Sequence, residues 1–364
     1  MNLELPLHAL HQAVGAQFAD YGSWTLPMHY GDPLREYNAI RQGVALADLS
    51  YQGKFILSGE DRKAFLQGLI SNDLLKATES SGIYTTLLTA KGKTLADFVL
   101  FPLPEGYLME IEASNAEKTK DVLMRFRLRS KVQMTVPAWG RLLVAGPLAK
   151  TRIEQLFGDA LPKMAEHAFF ERAIDEVRLI CIKRSVTGEA DFHLYTPLEN
   201  VEGLWTRLLS EGAGLPLQPV GQTALETTRI EAGIPRYGVD MNEEVIPVEA
   251  GIQDQVISYT KGCFPGQEVV ARIKTYGHVN KQLSGIILEG DIPPQSGAKI
   301  SQGEKSVGWV TSAVKSPFVG KVIAMAYLRR KTAVSGTALT VDVAQAQTVA
   351  EAKSLPFYPF RSRE

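Results

Sequence analysis

The stretch YTTLLTAKGKTLADFVLF, residues 84–101, predicts the architecture of the chain more directly than any other. Its runs 84–88 and 94–101 are rich in β-branched and aromatic residues, and a five-residue linker containing Gly92 joins them. Such a linker between two β-rich runs is typical of a β-hairpin. The stretch therefore predicts two antiparallel strands.

The sequence on either side of the hairpin predicts a mixed unit. Around the hairpin we expect strands at 53–57, 107–111, 132–136 and 141–144, with helices at 62–69 and 117–128. That order describes an α+β sandwich with a largely antiparallel sheet. A second such mixture follows from residue 146, and residues 7–18 have the spacing of a helix. After Asn280, short β-rich runs separated by Gly, Pro and Ser indicate a small all-β domain.

Composition narrows the classes of function. The 364 residues suffice for two or three domains. The 39 Lys and Arg nearly cancel the 40 Asp and Glu, so no overall field would draw the chain to nucleic acid or to an anionic membrane. No apolar run approaches the ~20 residues that span a bilayer. The N-terminus lacks the features of a signal or transit peptide, and we expect a cytoplasmic protein.

The two cysteines suggest different roles. Neither belongs to a CxxC pair, so neither a metal site nor a disulfide framework is expected. Cys181 lies in the apolar strand LICI, residues 179–182, and we expect a buried core thiol there. Cys263 lies in a turn and is the candidate for chemistry.

The densest chemical signal is KGCFPGQE, residues 261–268. Cys263 lies between Gly262 and the pair Pro265-Gly266, so the backbone must turn tightly and the thiol is expected to be exposed. Cations near it in sequence would favour the nucleophilic thiolate if they faced the sulfur. These are Lys261, Arg272 and Lys274. The alternative is a tight turn that Cys263 merely fits.

Two further segments carry candidate binding groups. Glu189 lies in VTGEADF, residues 186–192, where a turn carboxylate can accept two hydrogen bonds from a planar amide-and-amine edge, as in a pterin or guanine. The alternative is a solvated acid. Arg229 lies in TRIEAGIPRYGVD, residues 228–240, a helix ended by Gly and Pro. Because Arg229 and Glu231 are two apart, they do not face one another, and structural roles are as well supported as ligand contact.

Several segments together resemble the glycine cleavage T-protein family, the aminomethyltransferases. They are DYGSWTLPMHY (20–30), RQGVALADLS (41–50), TGE (187–189), RIEAG (229–233) and VGWVTS (307–312). KGCFPGQE is instead similar to the KGCxxGQE signature of YgfZ-type folate-binding proteins, relatives that support iron–sulfur cluster assembly or repair. The motif residues are Lys261, Gly262, Cys263, Gly266, Gln267 and Glu268.

The resemblance implies an α+β fold of three domains in a ring around a central folate pocket. Two are mixed α/β sandwich domains, and the third is a small C-terminal β-barrel or jelly-roll-like domain. The implied bounds are 1–50 plus 141–245 for the first domain, 51–140 for a ferredoxin-like second domain, 246–280 for a connecting segment and 281–364 for the β domain. The implied folate-binding residues are Glu189, Arg229 and Tyr84.

In that pocket a T-protein binds tetrahydrofolate and accepts a methylene group from an aminomethyl-lipoyl carrier, with release of ammonia. The T-protein has a paired Asp-Asp, whereas here Ala96 replaces the first acid and Asp97 keeps the second. Because adjacent strand residues point to opposite faces, we do not expect Asp97 simply to take over the missing role.

The leading hypothesis is therefore a YgfZ-like protein that binds tetrahydrofolate, or a substituted folate, and maintains iron–sulfur enzymes. Glu189 would anchor the pterin, Cys263 would supply the thiol, and iron–sulfur client or assembly proteins would be its partners. The alternative is a tetrahydrofolate-dependent aminomethyltransferase or related demethylase, with Asp97 as general acid or base and a lipoyl carrier protein as partner. A scaffold that uses the β domain and binds no folate is a third hypothesis.

Overall fold

A computed structural model describes residues 2–210, 214–344 and 346–360 of the protein. The strands of the first part of the chain are β1 (Leu3–Glu4), β2 (Gln17–Tyr21), β3 (Trp24–His29), β4 (Ala45–Asp48), β5 (Gly53–Ser58), β6 (Ile83–Leu88), β7 (Thr94–Leu103), β8 (Gly106–Ile111), β9 (Gln133–Thr135) and β10 (Trp139–Ala145). They continue with β11 (Phe169–Ile174), β12 (Val177–Lys183), β13 (Phe192–Pro197), β14 (Gln218–Pro219), β15 (Lys281–Leu288), β16 (Lys299–Gln302), β17 (Lys305–Lys315), β18 (Val322–Arg329), β19 (Ala338–Val343) and β20 (Ala346–Lys353).

The α-helices lie between these strands. They are α1 (His8–Ala13), α2 (Pro33–Gln42), α3 (Arg62–Leu69), α4 (Ala116–Phe126), α5 (Ala149–Phe157), α6 (Val201–Ser210), α7 (Gln222–Glu231), α8 (Gln253–Val256) and α9 (Gln267–Tyr276). Short 3-10 turns lie at Leu74–Lys76, Ala113–Asn115 and Leu198–Asn200. No helix in the described residues is long and apolar enough to cross a bilayer.

The predicted hairpin is confirmed as β6 and β7. Tyr84 pairs with Val99, and Gly92 in the connecting loop has φ 71°, a left-handed conformation that favours glycine. The surrounding sheet has the order β6-β7-β8-β5-β9, with all neighbours antiparallel. One face, with Ala96 and Phe98, packs against α3 and α4. The prediction of a largely antiparallel middle sheet is therefore confirmed.

The second sheet has the order β11-β12-β13-β10-β4-β14, in which only β14 runs parallel to its neighbour among the described strands. One face buries Trp205 of α6, Ile153 of α5 and Cys181 in a common core, so the expected core thiol is confirmed. The opposite face packs against the free face of the middle sheet and against α2 and α7. The two sheets thus form a sandwich, and α7 lies at its edge.

The C-terminal strands form a closed barrel of order β15-β18-β17-β16-β19-β20, which confirms the small β-barrel. Alternate residues such as Ile286, Val310 and Val341 fill its interior. The strand β20 was not predicted, because its sequence AQTVAEAK is poor in the β-branched and aromatic residues that mark strands. The domain bounds themselves stay a prediction.

The N-terminal helix is shorter than expected. Only residues 8–13 are helical, and Phe18, predicted on the same helix face, lies in β2. Gly15 has φ 86°, which a right-handed helix does not allow, so the chain turns there and begins a strand. The apolar spacing predicted the helix correctly over residues 8–13. Beyond Gly15 the same apolar residues belong to a strand.

Candidate functional site

A cavity of about 860 Å³, part of which is open to solvent, lies where the two sheets meet α7. The second sheet contributes Arg141 and Leu143, and the middle sheet contributes Asp97 and Glu110. The remaining wall comes from α7, from the loop after it and from segments beside the sheets. Its residues are Leu49, Tyr51, Gln52, Ile111, Glu112, Arg184, Val186, Gln222, Leu225, Glu226, Arg229, Ile234, Pro235, Arg236 and Tyr237.

Asp97 is a half-buried carboxylate in this cavity. The hydroxyl of Tyr84 donates a hydrogen bond of 2.7 Å to Oδ2 of Asp97. Burial raises the pKa of Asp97, and the hydrogen bond from Tyr84 and the charge of Arg184 offset this only in part. Burial and the neighbouring carboxylate also raise the pKa of Tyr84, which therefore stays a donor. The structure thus brings two of the expected site residues together, with Tyr84 behind the acid that faces the cavity.

The middle sheet places Ala96 away from the cavity. Ala96 is fully buried in the apolar core beneath α3 and α4, on the face opposite Asp97. Adjacent residues do point to opposite faces, as expected, but the face that meets the cavity is that of Asp97. The missing acid at position 96 therefore removes nothing from the cavity of this protein.

A buried ionic network fixes one end of the cavity. Glu110 accepts hydrogen bonds from Arg184 at 2.8 Å, Arg141 at 3.4 Å and the Tyr195 hydroxyl at 2.6 Å. Burial alone would raise the pKa of Glu110, but the guanidinium groups lower it to about 2. Arg141 also contacts Nδ1 of His193 at 2.9 Å. The sequence analysis missed this network, although Glu110 and Glu112 alternate on β8 and just beyond it, the spacing of one strand face.

Arg229 lines the cavity, but its donors face the protein. Its five N–H groups donate to Glu226, Asp240, Ser312 and the Ile234 carbonyl oxygen, at 2.6–3.0 Å. All of its donors are thus engaged within the protein, and its expected contact with a ligand stays a prediction. Since Ser312 lies on β17, Arg229 instead joins α7 to the barrel. As expected, it does not pair with Glu231.

Glu189 does not line this cavity, and its expected contact with a ligand stays a prediction. It is fully buried on the turn after Gly188, and its Oε1 lies 3.4 Å from Nη1 of Arg41. Arg41 also donates 2.8 Å to Glu231 and lies 3.8 Å from the centre of the Tyr358 ring. The sequence pattern identified the turn correctly, but it could not indicate that this carboxylate turns towards α2.

The C-terminal segment contacts the cluster formed by Arg41, Glu189 and Glu231. The carbonyl oxygen of Glu231 accepts the N–H groups of Phe357 at 2.9 Å and Tyr358 at 2.8 Å. The carboxylate of Glu231 accepts the hydroxyls of Tyr37 and Ser316. Helices α2 and α7, the barrel and the C-terminal segment therefore share one buried ionic core.

The KGCFPGQE segment forms an exposed turn beside the middle sheet. Cys263 is exposed, as expected, and does not line the cavity. Phe264 is buried, and Gly266, with φ 81°, lies so close to the hairpin loop that a Cβ atom would stand 2.5 Å from the Thr89 carbonyl oxygen. Gln267 and Glu268 begin α9.

Lys261 does not direct its charge at the thiol. Its ammonium donates to the carbonyl oxygens of Gln67 and Ile70 at 2.6 Å and of Asn72 at 3.1 Å, at the end of α3. The ammonium of Lys274 lies 3.7 Å from the centre of the Tyr259 ring. Two of the three cations expected to favour a thiolate are thus engaged elsewhere. Among the described residues, no cluster of His, Cys, Asp or Glu could hold a metal ion.

Comparison with known proteins places most of the chain in one group. Residues 7–260 match the GCVT N-terminal domain, and residues 281–359 match the glycine cleavage T-protein C-terminal barrel domain. An aminomethyltransferase of Cutibacterium acnes is 31% identical over 365 residues, covering 97% of each chain. One of Bacillus subtilis is 30% identical over 357 residues, covering 97% of this chain and 98% of the relative.

The fold agrees with these matches. A crystal structure of glycine cleavage system aminomethyltransferase T from Bartonella henselae superposes with a TM-score of 0.91 at 23% identity, over 100% of both chains. The discontinuous second sheet, the inserted middle sheet and the closed barrel are accounted for by this fold. On the strength of both domain matches and of relatives aligned along nearly its full length, the chain belongs to the glycine cleavage T-protein family.

Proposed function

We propose that this protein binds tetrahydrofolate in the central cavity and transfers a one-carbon unit to it, as an aminomethyltransferase does. The observation that carries the proposal is Asp97, a carboxylate that lines the cavity, is held by Tyr84 and has a raised pKa. A carboxyl group whose pKa is raised by burial is better suited to accept and return a proton than an ordinary exposed aspartate.

The cavity wall suits a folate. Tyr51, Leu143 and Leu225 offer aromatic and apolar surface for a flat ring. Carboxylates and arginines stand among them, which gives polar partners for an amine edge and for an acidic tail. The Tyr51 ring is itself held against Tyr21 and Trp24, so this wall is preformed.

The transfer needs two contributions from the protein: groups that accept and donate protons, and groups that orient the reactants. The methylene carbon leaves nitrogen and sulfur of the carrier and becomes bonded to two folate nitrogens, which release two protons. One proton departs with ammonia and the other with the carrier thiol. Asp97 would hold such a proton at its free oxygen while Tyr84 orients the carboxylate.

The test is turnover with an aminomethyl-lipoyl carrier protein. Ammonia and methylene-tetrahydrofolate are measured for the wild type, for Asp97→Asn and for Asp121→Asn, an exposed acid on α4 that serves as control. We expect Asp97→Asn to lower the rate roughly 100-fold or more, with Asp121→Asn unchanged. Turnover that survives Asp97→Asn would contradict the role of Asp97, and no turnover by the wild type would contradict the transferase.

A second candidate is the YgfZ-type role in maintaining iron–sulfur enzymes. It is favoured by the exposed Cys263 in KGCFPGQE, a thiol outside the cavity that aminomethyl transfer does not use. Complementation of a bacterial strain that lacks its own YgfZ tests it, with Cys263→Ser compared against the wild type. Complementation that depends on Cys263 supports this role, and equal growth with Cys263→Ser contradicts a function for the thiol.

A further inference from the structure

The carboxylates that line the cavity differ in how they are balanced. Glu110 and Glu226 are each held by two arginines. In the described part of the chain, Asp97 and Glu112 accept side-chain hydrogen bonds from neutral groups only. The donor is a tyrosine hydroxyl at 2.7 Å for Asp97 and the Gln52 amide at 3.4 Å for Glu112. These two acids therefore have no hydrogen-bonded cation to balance their charge.

Asp97 and Glu112 lie across from one another on neighbouring strands. Phe98 of β7 pairs with Ile111 of β8, and the antiparallel register continued by one residue sets Asp97 opposite Glu112. The chain stays extended at this point, because Glu112 has φ −59° and ψ 131°. Both residues line the cavity, and directly opposite residues of an antiparallel pair have Cβ atoms about 5 Å apart. The two carboxylates are therefore neighbours on one wall.

We propose that Asp97 and Glu112 act as a catalytic pair, which holds one proton and exchanges the roles of acid and base during the transfer. This proposal rests on the proposed function and adds a second proton-transfer residue to it. Two neighbouring carboxyl groups without a hydrogen-bonded cation do not both ionise readily, because like charges repel. Such a pair presents one acid and one base to a ligand at the same time.

The charges around the pair agree with a retained proton. Burial raises the pKa of both carboxyl groups, that of Glu112 to about 7, and the charge of Asp97 adds to the rise at Glu112. On α7, Glu226 raises and Arg229 lowers the pKa of Glu112. Arg184 lowers the pKa of Asp97 without offsetting its burial. Near neutral pH, the proton of the pair therefore lies on Glu112 and the negative charge on Asp97.

The transfer consists of two substitutions at the methylene carbon, and each moves one proton. In the first, a folate nitrogen bonds to the carbon as the carbon–nitrogen bond of the carrier breaks. Glu112 gives its proton to the departing nitrogen, which leaves as ammonia, and Asp97 takes the proton of the attacking folate nitrogen. The pair now carries its proton on Asp97.

The second substitution uses the pair in the opposite sense. The other folate nitrogen bonds to the carbon as the carbon–sulfur bond breaks, and the bonding electrons leave with sulfur. Asp97 gives its proton to that sulfur, and Glu112 takes the proton of the second folate nitrogen. After both steps the pair has regained its starting state, so the reaction needs no acid or base from outside.

The dependence of kcat on pH, at saturating tetrahydrofolate and carrier protein, tests the pair. The wild type should be fastest at intermediate pH and slower on both sides, where the two carboxyl groups are both protonated or both ionised. Glu112→Gln should lower kcat roughly 100-fold and lose the alkaline limb, because Asp97 alone acts only as a base. Glu117→Gln, on exposed α4 surface, is the matched control and should behave like the wild type.

A double variant tests whether the two residues act as one unit. If they do, Asp97→Asn combined with Glu112→Gln should be about as slow as the slower single variant. Losses in kcat that multiply in the double variant contradict the pair. Glu112→Asp keeps a carboxyl group at this position and should regain part of the rate together with both limbs of the profile.

The outcomes separate the pair from the proposed function. A wild type without turnover contradicts the proposed function, whereas an active wild type matched by Glu112→Gln in kcat and pH profile contradicts the pair alone. A slower Glu112→Gln that keeps both limbs also contradicts the pair, because Glu112 then does not carry the proton. Thermal unfolding shows that each variant is folded, and a folded Glu112→Asp no faster than Glu112→Gln counts against the carboxyl group.

Discussion

Nζ of Lys261 lies 2.6 Å from the carbonyl oxygen of Ile70, the C-cap residue that follows α3. The last carbonyl groups of a helix lack partners within it, so a cation at this place satisfies them and opposes the helix dipole. The lysine of KGCFPGQE therefore anchors the cysteine-bearing turn to the C-terminal end of α3.

This contact predicts a stability effect. Lys261→Met should lower the free energy of unfolding by about 2 kcal/mol, because buried carbonyl groups lose their donor. Lys305→Met, at an exposed lysine of β17, is the control. Urea unfolding measures both; equal midpoints for the two variants would show that the carbonyl contacts contribute nothing.

Restoring the first acid of the T-protein Asp-Asp pair, at position 96, should destabilise the protein. Ala96→Asp places a carboxylate in the apolar core beneath α3 and α4, and we expect a loss of about 3 kcal/mol or more with no gain in turnover. Ala90→Asp, in the exposed hairpin loop, should be harmless. Soluble yield, unfolding and methylene-tetrahydrofolate formation are the measurements. A stable Ala96→Asp with higher turnover would overturn the placement of Asp97 as the cavity acid.

We expect Arg229 to stabilise the contact between α7 and the barrel. Arg229→Met leaves the carboxylates of Glu226 and Asp240 without their shared cation, and we expect about 3 to 5 kcal/mol of destabilisation. The exposed Arg35→Met serves for comparison. Because Arg229 and Asp240 are in direct contact, the double variant with Asp240→Asn should be less damaged than the sum of the single ones. If the losses of stability in the two single variants simply add up in the double variant, Arg229 and Asp240 do not stabilise the fold through their mutual contact.

Folate affinity should depend on pH through Glu112. The charged groups that face it are Asp97 on β7 and Glu226 and Arg229 on α7. With a pKa of about 7 in the free protein, Glu112 is ionised above that pH and protonated below it. Glu112 lines the cavity, and its ionised carboxylate accepts hydrogen bonds from ligand N–H groups better than the protonated form does. Folate affinity should therefore be constant in alkaline buffer and fall as the pH drops through 7.

Titrations between about pH 6 and pH 8 check this dependence. Glu112→Gln carries no titrating carboxyl at this position and should show a flatter profile than the wild type. The same slope in both proteins would assign the pH dependence to another group, with Asp97→Asn as the next comparison.

Local pattern was enough to predict much of the fold. The hairpin, α3 and the barrel follow from periodicity and from turn residues such as Gly92, which act over a few positions. The position of Asp97 in the cavity depends on tertiary packing. Alternation says that residues 96 and 97 face opposite ways, but only the packing of two sheets decides which face meets a cavity.

The same distinction between local sequence pattern and tertiary packing applies to the candidate site. Cys263 could be predicted as exposed because glycine and proline constrain the local backbone. The partners of Glu189 and Lys261 are distant in sequence, as is Ser312, which Arg229 contacts on β17, so short motifs carried no information about these contacts. Glu112 could have been found from its spacing to Glu110 in an apolar strand.

The contact of Phe357 and Tyr358 with Glu231 bears on how the chain is made. Translation proceeds from the N-terminus, so α2 and α7 emerge long before the aromatic residue that covers Arg41. Until Tyr358 has been synthesised, the ion pair of Arg41 and Glu231 lacks the aromatic ring that packs against Arg41. The shared ionic core is therefore completed last, because the ribosome has synthesised every strand of the barrel before α2 and α7 reach their final environment.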